Sequence, residues 1–215
     1  MRDHLAADAN ESTVIKRPIP KPTRIRVARF VSNILAPTTI SVPFVLLVAL
    51  YHARNTWTVL FYSCITLFFL SVGPLIYIVM GVRLGKLSDV DVSRRSERSG
   101  PFLFGIASVT AGLFVLWFMH APRNLETALL ITAVSGVIMM IITLWWKISI
   151  HTSSLAGVAT MLTALYGTVM LPLFMLLVLV GWSRVVLRRH TIAQVVVGSL
   201  ASIVLSTAIL AWRGI

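Results

Sequence analysis

Long stretches of the chain carry no Asp, Glu, Lys or Arg, and short polar clusters separate them. Most of these stretches are close to the roughly 20 residues that an α-helix needs to cross about 30 Å of hydrocarbon. Strands are not expected, because open sheet edges leave backbone groups unpaired in lipid and no alternating pattern appears. The pattern therefore predicts an all-α, polytopic transmembrane helical bundle. The uncharged stretches are 31–52, 57–82, 101–120, 127–146, 152–183 and 191–212.

The fifth stretch is too long for one comfortable crossing. Its 32 residues would reach about 48 Å as a single helix. Gly167 and Pro172 interrupt its middle, and these two residue types are the strongest breaks in a helical pattern. We therefore predict a hairpin of two short helices, roughly 152–166 and 169–183. This gives about seven spans, or about six if 152–183 crosses once.

The distribution of basic residues tests the choice between six and seven spans. With seven spans and a cytoplasmic N-terminus, 16 Lys and Arg residues lie inside and three outside, whereas six spans give 14 and five. Cytoplasmic segments are usually enriched in Lys and Arg, so the count favours seven. In that topology the polar clusters at 83–101, 147–151 and 184–190 share the cytoplasmic face.

Composition agrees with a membrane protein. The chain is 57% hydrophobic and 12% charged, with a mean hydropathy of +0.89, whereas a soluble domain is about one-quarter charged. The net charge of +12 gathers on one predicted face, which favours anionic lipid headgroups over nucleic acid as the partner. Residues 1–30 are predicted to form a basic cytoplasmic tail, and 31–215 a single transmembrane domain.

The scarcity of carboxylates narrows the possible chemistry. The chain has seven Asp and Glu residues, and none falls within a predicted span, whereas proton-coupled transporters place ionisable groups at membrane depth. A magnesium-dependent prenyltransferase needs several carboxylates around the metal. Asp89 and Asp91 are the only close pair, and such a pair is more often a solvated loop. We therefore predict no metal site and no cofactor.

The remaining polar residues are cations and histidines, which suit a phosphate ligand. The planar fork of an arginine matches phosphate oxygens in bidentate fashion. Taken singly, each cation is better explained by anchoring at the cytoplasmic membrane surface. His151 and His190, however, each follow a polar cluster of the cytoplasmic face and flank the two predicted short helices. The cations that together would neutralise a phosphate or diphosphate headgroup are Lys86, Arg94, Arg95, Arg98, Lys147 and Arg184.

Three stretches of the sequence resemble the signatures of the type 2 phosphatidic acid phosphatase superfamily. Ser183 and Arg184, followed after five residues by His190, are similar to its third signature. The second signature is Pro-Ser-Gly-His, of which the sequence ISIH at 148–151 keeps the serine and the histidine. The first is a lysine, six residues and then Arg-Pro. The stretch KLSDVDVSRRSERSGPF at 86–102 is similar in ingredients but not in spacing.

The resemblance, which covers roughly residues 83–198, implies a metal-free lipid phosphatase that works through a covalent phosphohistidine. His190 would attack phosphorus, His151 would protonate the leaving oxygen, and Arg184 would hold the phosphoryl oxygens. The substrate would be phosphatidic acid, a phosphatidylglycerol-phosphate-type lipid, or an isoprenyl phosphate or diphosphate. We expect a multi-pass protein of the cell membrane, with its active site near the cytoplasmic face. The further phosphate-binding residues would be Lys86, Arg95, Arg98, Lys147 and Ser149.

One departure from the family concerns the residue four positions after the nucleophile. The family has an Asp there, which orients the histidine, whereas this chain has Gln194. Residues four apart share a helix face, so the amide oxygen can still orient His190, but it supplies no negative charge. Either Asp89, Asp91 or Glu97 substitutes for the Asp, or catalysis is weaker, or the chain is a non-catalytic lipid-phosphate-binding or scaffold protein.

Overall fold

The computed structural model describes residues 22–51, 55–92 and 94–215, and helices joined by short links make up these ranges. The predicted all-α fold is confirmed. A π-helical turn, Phe68–Val72, joins α3 and α4 into one continuous helix. The helices are α1 (Thr23–Ile34), α2 (Pro37–Leu50), α3 (Thr56–Leu67), α4 (Gly73–Arg83), α5 (Ser99–Phe118), α6 (Arg123–Trp145), α7 (Ile150–Tyr166), α8 (Leu173–Val186) and α9 (Ile192–Arg213).

The number of spans agrees with the prediction of about seven. Within the described residues, five helical segments are long and apolar enough to cross a membrane. The pair α1 and α2, bent by 41°, passes the same test as one broken span, and α8 is a shorter apolar helix. The five segments are Thr56–Arg83, Ser99–Phe118, Arg123–Trp145, Ile150–Met170 and Ile192–Arg213.

The stretch predicted to turn back on itself does so, between α7 and α8. Gly167 adopts a φ of +75° at the end of α7, a backbone conformation that glycine reaches without strain. A Cβ placed on Gly181, late in α8, would lie 3.9 Å from the Thr152 side chain, early in α7. Leu155 packs against Val180 in the same way. The two helices therefore run antiparallel, and the start of α7 lies beside the end of α8.

Close packing holds α9 against the start of α7. A Cβ on Gly198 would lie 2.9 Å from Ser153 Oγ and 3.2 Å from the Ile148 side chain, so the helices meet where α9 has no side chain. The single hydroxyl proton of Ser153 is shared between the carbonyl oxygens of Ser149 (2.9 Å from Oγ) and Gly198 (3.0 Å). This contact brings the first turns of α7 and α9 together.

The largest apolar core lies in the half of the bundle opposite the polar segments at 83–101, 147–151 and 184–190. The largest cluster of buried apolar side chains lies away from the start of α7, and its members include Val48, Leu125 and Leu165. At that far end, Arg213 of α9 forms an ion pair of 3.0 Å with Glu126 at the start of α6. The other end gathers the ends of α4, α6 and α8 and the starts of α5, α7 and α9.

The helix α1 extends α2 towards this polar end and packs against α8. Ala28 and Ser32 are its buried residues. Because α1 begins at Thr23, the predicted boundary between tail and domain at residue 30 falls inside a helix. The remainder of the predicted tail, residues 1–21, lies outside the described part of the chain.

Candidate functional site

Polar residues from distant parts of the sequence meet at the polar end of the bundle. They come from the α4–α5 loop, the link between α6 and α7, the end of α8 and the α8–α9 turn. Several of these side chains are buried, which is costly for a charged group unless it is paired. The residues of this polar cluster are Asp91, Arg98, Lys147, His151, Arg184, His190 and Gln194.

Arg184 lies in the middle of the polar cluster, with only 3% of its surface exposed. Its Nη1 donates to Ser32 Oγ of α1 (2.7 Å) and to Asp91 Oδ2 of the α4–α5 loop (3.3 Å). Its Nε is buried and has no hydrogen-bond partner among the described residues. Leaving a buried donor unpaired costs about 1–3 kcal/mol, so the geometry at Nε suits an oxyanion acceptor.

Arg98 fixes the α4–α5 loop to the start of α7. Its Nε donates to the Val92 carbonyl oxygen (3.1 Å) and its Nη1 to the Ile148 carbonyl oxygen (3.0 Å). Burial lowers the pKa of the guanidinium, and the positive charge of Arg184 lowers it further. Arg98 therefore has a structural role in the loop and also adds positive charge to the cluster.

Lys147, in the link between α6 and α7, experiences the same crowding of positive charge. Its pKa is lowered by burial and then by the positive charges of Arg98, Arg189 and Arg184. Like charges held together in a partly buried site repel one another. A bound anion would relieve this repulsion for all of these cations at once.

His190 lies in the turn between α8 and α9, and Gln194 fixes its orientation. The backbone N–H of Thr191 donates to Gln194 Oε1 (3.1 Å), as part of the box that caps α9. Because a backbone N–H can only donate, the atom that it meets is the amide oxygen. That same oxygen lies 3.3 Å from His190 Nδ1, so Nδ1 must carry the ring proton. The lone pair is therefore on Nε2.

The surroundings of His190 also keep the ring neutral. Burial lowers its pKa to about 3, with further lowering by Lys147, Arg184 and Arg98, while the Gln194 hydrogen bond acts in the opposite direction. A neutral imidazole with a free Nε2 is the nucleophilic form of histidine. The structure thus gives His190 a protonation state and a tautomer that suit a nucleophile.

The ring state of His190 can be measured by ¹⁵N NMR on histidine-labelled protein. We expect a protonated Nδ1 and an unprotonated Nε2 from about pH 8 down to about pH 5, because the folded-state pKa is about 3. Gln194→Leu removes the acceptor, so we expect the two tautomers to mix in that variant. A mixture of tautomers in the wild-type protein, or protonation of the ring near pH 6.5, would contradict the assignment.

The lowered pKa of His190 has a consequence for stability. Below the ordinary histidine pKa of 6.5 the unfolded chain protonates this residue, whereas the folded chain does not until about pH 3. The unfolded state therefore binds more protons in this interval, and the contribution of His190 to stability decreases as the pH falls below 6.5.

His151 is the second residue of α7 and lies at the same end of the bundle as His190. Its ring is within electrostatic range of Arg184, Asp91 and Arg98, and two of these residues, Arg184 and Arg98, also act on His190. The hairpin of α7 and α8 is what brings the ring to Arg184. Both histidines therefore lie within electrostatic range of the Arg184 guanidinium.

Ser149 has a different place from the one predicted for a phosphate ligand. The residue is fully buried, and its hydroxyl oxygen accepts a hydrogen bond from the Thr152 backbone N–H (3.5 Å), which caps α7. A side-chain oxygen at this position satisfies one of the free N–H groups of the first turn. Ser149 thus supports the start of the helix that carries His151.

Of the other two predicted phosphate ligands, only Lys86 has a described side chain. Lys86 is exposed in the loop after α4, and within the described residues no contact joins it to the cluster. The side chain of Arg95 lies outside the described part of the structure. Among the described residues there is also no group of three or more His, Cys, Asp or Glu side chains with the arrangement of a metal site.

Two of the acids proposed as substitutes for the family's Asp, Asp91 and Glu97, bond to groups other than His190. Asp91 pairs with Arg184, and Glu97 accepts hydrogen bonds of 2.8 Å from both the backbone N–H and the hydroxyl of Ser88. The ring is held by Gln194 itself. The pKa of Asp91 is lowered: burial raises it, but the charges of Arg184 and His151 outweigh that effect.

Ser32 was not anticipated from the sequence. It precedes Arg184 by 152 residues and lies in α1, within a region expected to be the edge of the first span.

Comparisons of the chain with protein-family profiles, with curated proteins and with solved structures found no match. A function is therefore inferred from the geometry of the polar cluster and from the resemblance of the signatures.

Proposed function

We propose that this chain is a membrane lipid phosphatase, a divergent relative of the type 2 phosphatidic acid phosphatase superfamily. It hydrolyses a phosphate-ester or diphosphate headgroup without a metal, through a phosphohistidine on His190. One observation carries the proposal: a neutral histidine with its free Nε2 fixed by Gln194 shares a cationic cluster with Arg184, whose buried Nε lacks an acceptor among the described residues.

In the first step, the Nε2 lone pair of His190 attacks phosphorus and the bond from phosphorus to the lipid oxygen breaks. His151, in its protonated form, donates a proton to that oxygen, so the lipid leaves as an alcohol. The ring of His190 becomes a phosphoimidazolium, and Gln194 Oε1 accepts a hydrogen bond from its Nδ1–H. Splitting the hydrolysis through a covalent intermediate replaces one difficult step by two easier ones.

In the second step, a water molecule attacks the phosphohistidine. His151, now neutral, takes a proton from that water, the bond between phosphorus and nitrogen breaks, and inorganic phosphate leaves. The lone pair returns to Nε2. In both steps Arg184 and Lys147 stabilise the charge that spreads over the three equatorial oxygens, which is the main contribution a protein makes to phosphoryl transfer.

We also infer that the polar cluster lies at the cytoplasmic face of the cell membrane. Most described Lys and Arg residues lie at the end of the bundle that holds the cluster, whereas Arg123 and Arg213 lie at the opposite end. An excess of basic residues on the cytoplasmic side is the general rule for membrane proteins. A lipid phosphate in the inner leaflet would reach the cluster with its tail still in the bilayer.

A second function has specific support. Gln194 accepts from His190 but carries no charge. The missing negative charge weakens nucleophilic attack by the ring, whereas the cations that would bind an anion are unchanged. The alternative is thus a non-catalytic membrane protein that binds lipid phosphates at the same cluster or acts as a scaffold.

The experiment that separates these functions is a phosphate-release assay on purified protein in mixed micelles. The panel contains phosphatidic acid and an isoprenyl phosphate with its diphosphate, each with excess chelator and, separately, with added magnesium. We expect inorganic phosphate to be released at the same rate in both conditions. Release that stops in chelator would contradict the metal-free mechanism. Binding of these lipids without any release would support the non-catalytic alternative.

A further inference from the structure

One donor atom of Arg184 is already occupied by a negative group. Asp91 Oδ2 and Ser32 Oγ both accept from Nη1, at 3.3 and 2.7 Å, while Nε has no partner among the described residues. Arg184 is buried, but the Asp91 side chain is 41% exposed. The carboxylate thus meets the guanidinium from the solvent side of the cluster, whereas the buried Nε, without a partner among the described residues, is the donor that we assign to a substrate oxygen.

The charges around this position match a single phosphate group. The side chains of Arg98, Lys147 and Arg184 bring three positive charges, and Asp91 removes one of them. His151 carries a further positive charge in the first step, but its proton goes to the leaving oxygen, so two positive charges remain for the group that is transferred. A phosphomonoester carries about −1.5 to −2 near neutral pH. Arg189 and Asp89 add one charge of each sign nearby, which leaves this balance unchanged. A diphosphate would bring further negative charge next to the Asp91 carboxylate.

We propose that Asp91 is a specificity-determining residue that restricts the cluster to one phosphate group, so that the substrate class is lipid phosphomonoesters rather than lipid diphosphates. The inference deepens the proposed function and rests on it for the lipid and for the hydrolysis. Asp91 contributes in two ways. Its carboxylate fills a donor position of Arg184 where a second phosphate would bind, and its charge repels that phosphate.

The test compares kcat/KM for a lipid monophosphate and for the diphosphate with the same tail. We expect the wild-type protein to favour the monophosphate by at least about tenfold, and Asp91→Asn to reduce this preference by about tenfold, because one close negative charge is lost. Glu97→Gln is the matched control. It removes the same charge from the same loop, but Glu97 bonds to Ser88 and Arg94 rather than to Arg184, so the preference is expected to stay at the wild-type value.

A binding measurement separates this inference from the proposed function. The rise in unfolding temperature caused by inorganic phosphate and by pyrophosphate is measured for the wild-type protein, Asp91→Asn and Glu97→Gln. The same measurement is made for Asp91→Ser, a second variant without the charge. If no lipid is hydrolysed but phosphate is preferred over pyrophosphate only while Asp91 is present, the proposed function fails, while the role of Asp91 in restricting the cluster to one phosphate group stands. A wild-type preference for the diphosphate, or equal changes in Asp91→Asn and Glu97→Gln, would overturn it.

Discussion

Replacing His190 with alanine is expected to lower phosphate release from lipid substrates by at least about 10³-fold, the order of loss seen when a covalent nucleophile is removed. In the proposed mechanism the nucleophile is His190 Nε2, and Gln194 Oε1 fixes the orientation of the ring through its Nδ1. Lipid binding should persist, because the cations that hold the phosphate are unchanged. The measurement is the turnover of each panel lipid at saturating concentration.

Two further observations make the result specific to the nucleophile. His120→Asn alters a histidine at the opposite end of the bundle, and asparagine tolerates its φ of +52°, so this variant should retain wild-type activity. Brief mixing of the wild-type protein with a ³²P-labelled substrate should label a residue whose phosphate survives alkali and is lost in acid, as expected of phosphohistidine. Wild-type turnover in His190→Ala, or the same labelling in that variant, would contradict the role of His190.

Much of the fold could be predicted because a bilayer restricts the possible structures. Uncharged stretches of about 20 residues have few alternatives to membrane-crossing helices. The break at Gly167 and Pro172 also had a local physical cause, since one residue permits positive φ and the other cannot continue a helix. From that break follows the antiparallel arrangement of α7 and α8, and with it the approach of His151 to Arg184.

The contacts of Arg184 could not be predicted, because they depend on how helices far apart in sequence pack. Ser32 has no local feature that distinguishes it from other serines, and it reaches Arg184 only because α1 extends α2 alongside α8. Asp91 stands out in the sequence as an acid within a basic loop, but it was considered as a partner of His190 and not of Arg184. It meets a guanidinium, where its attraction is strongest, rather than the ring of His190.

The position of Gln194 shows how a single residue can serve two structural needs. Four residues after a histidine it was expected to face the ring, and the structure places its oxygen there. Its second bond, from the Thr191 N–H, arises because α9 begins at Ile192 and needs a cap. The cap determines that the amide oxygen, and not the nitrogen, faces the histidine. Predicting this orientation requires knowing where α9 begins, and sequence patterns give helix boundaries only to within a few residues.

Arg184→Lys is expected to reduce kcat/KM by about 10²–10³-fold, although the charge of the residue is kept. A lysine ammonium is a compact group without the planar fork. It cannot bond to Ser32 and Asp91 on one side and present a second donor, equivalent to Nε, to the phosphate on the other. The loss should appear mainly in kcat, since a retained charge still attracts the headgroup whereas the transition state needs a fixed donor.

The matched control is Arg188→Lys, the same change in an exposed residue just after the end of α8, where we expect less than about a twofold effect. Arg184→Lys is also expected to unfold at a lower temperature than the control, because Ser32 and Asp91 lose a partner that joins α1 and the α4–α5 loop to α8. Activity and stability can therefore be separated by measuring kcat well below the unfolding midpoint of both variants. If Arg184→Lys kept its kcat there, the guanidinium would be a structural link between α1, α8 and the loop, and the unpartnered Nε would not be the donor that meets the phosphate.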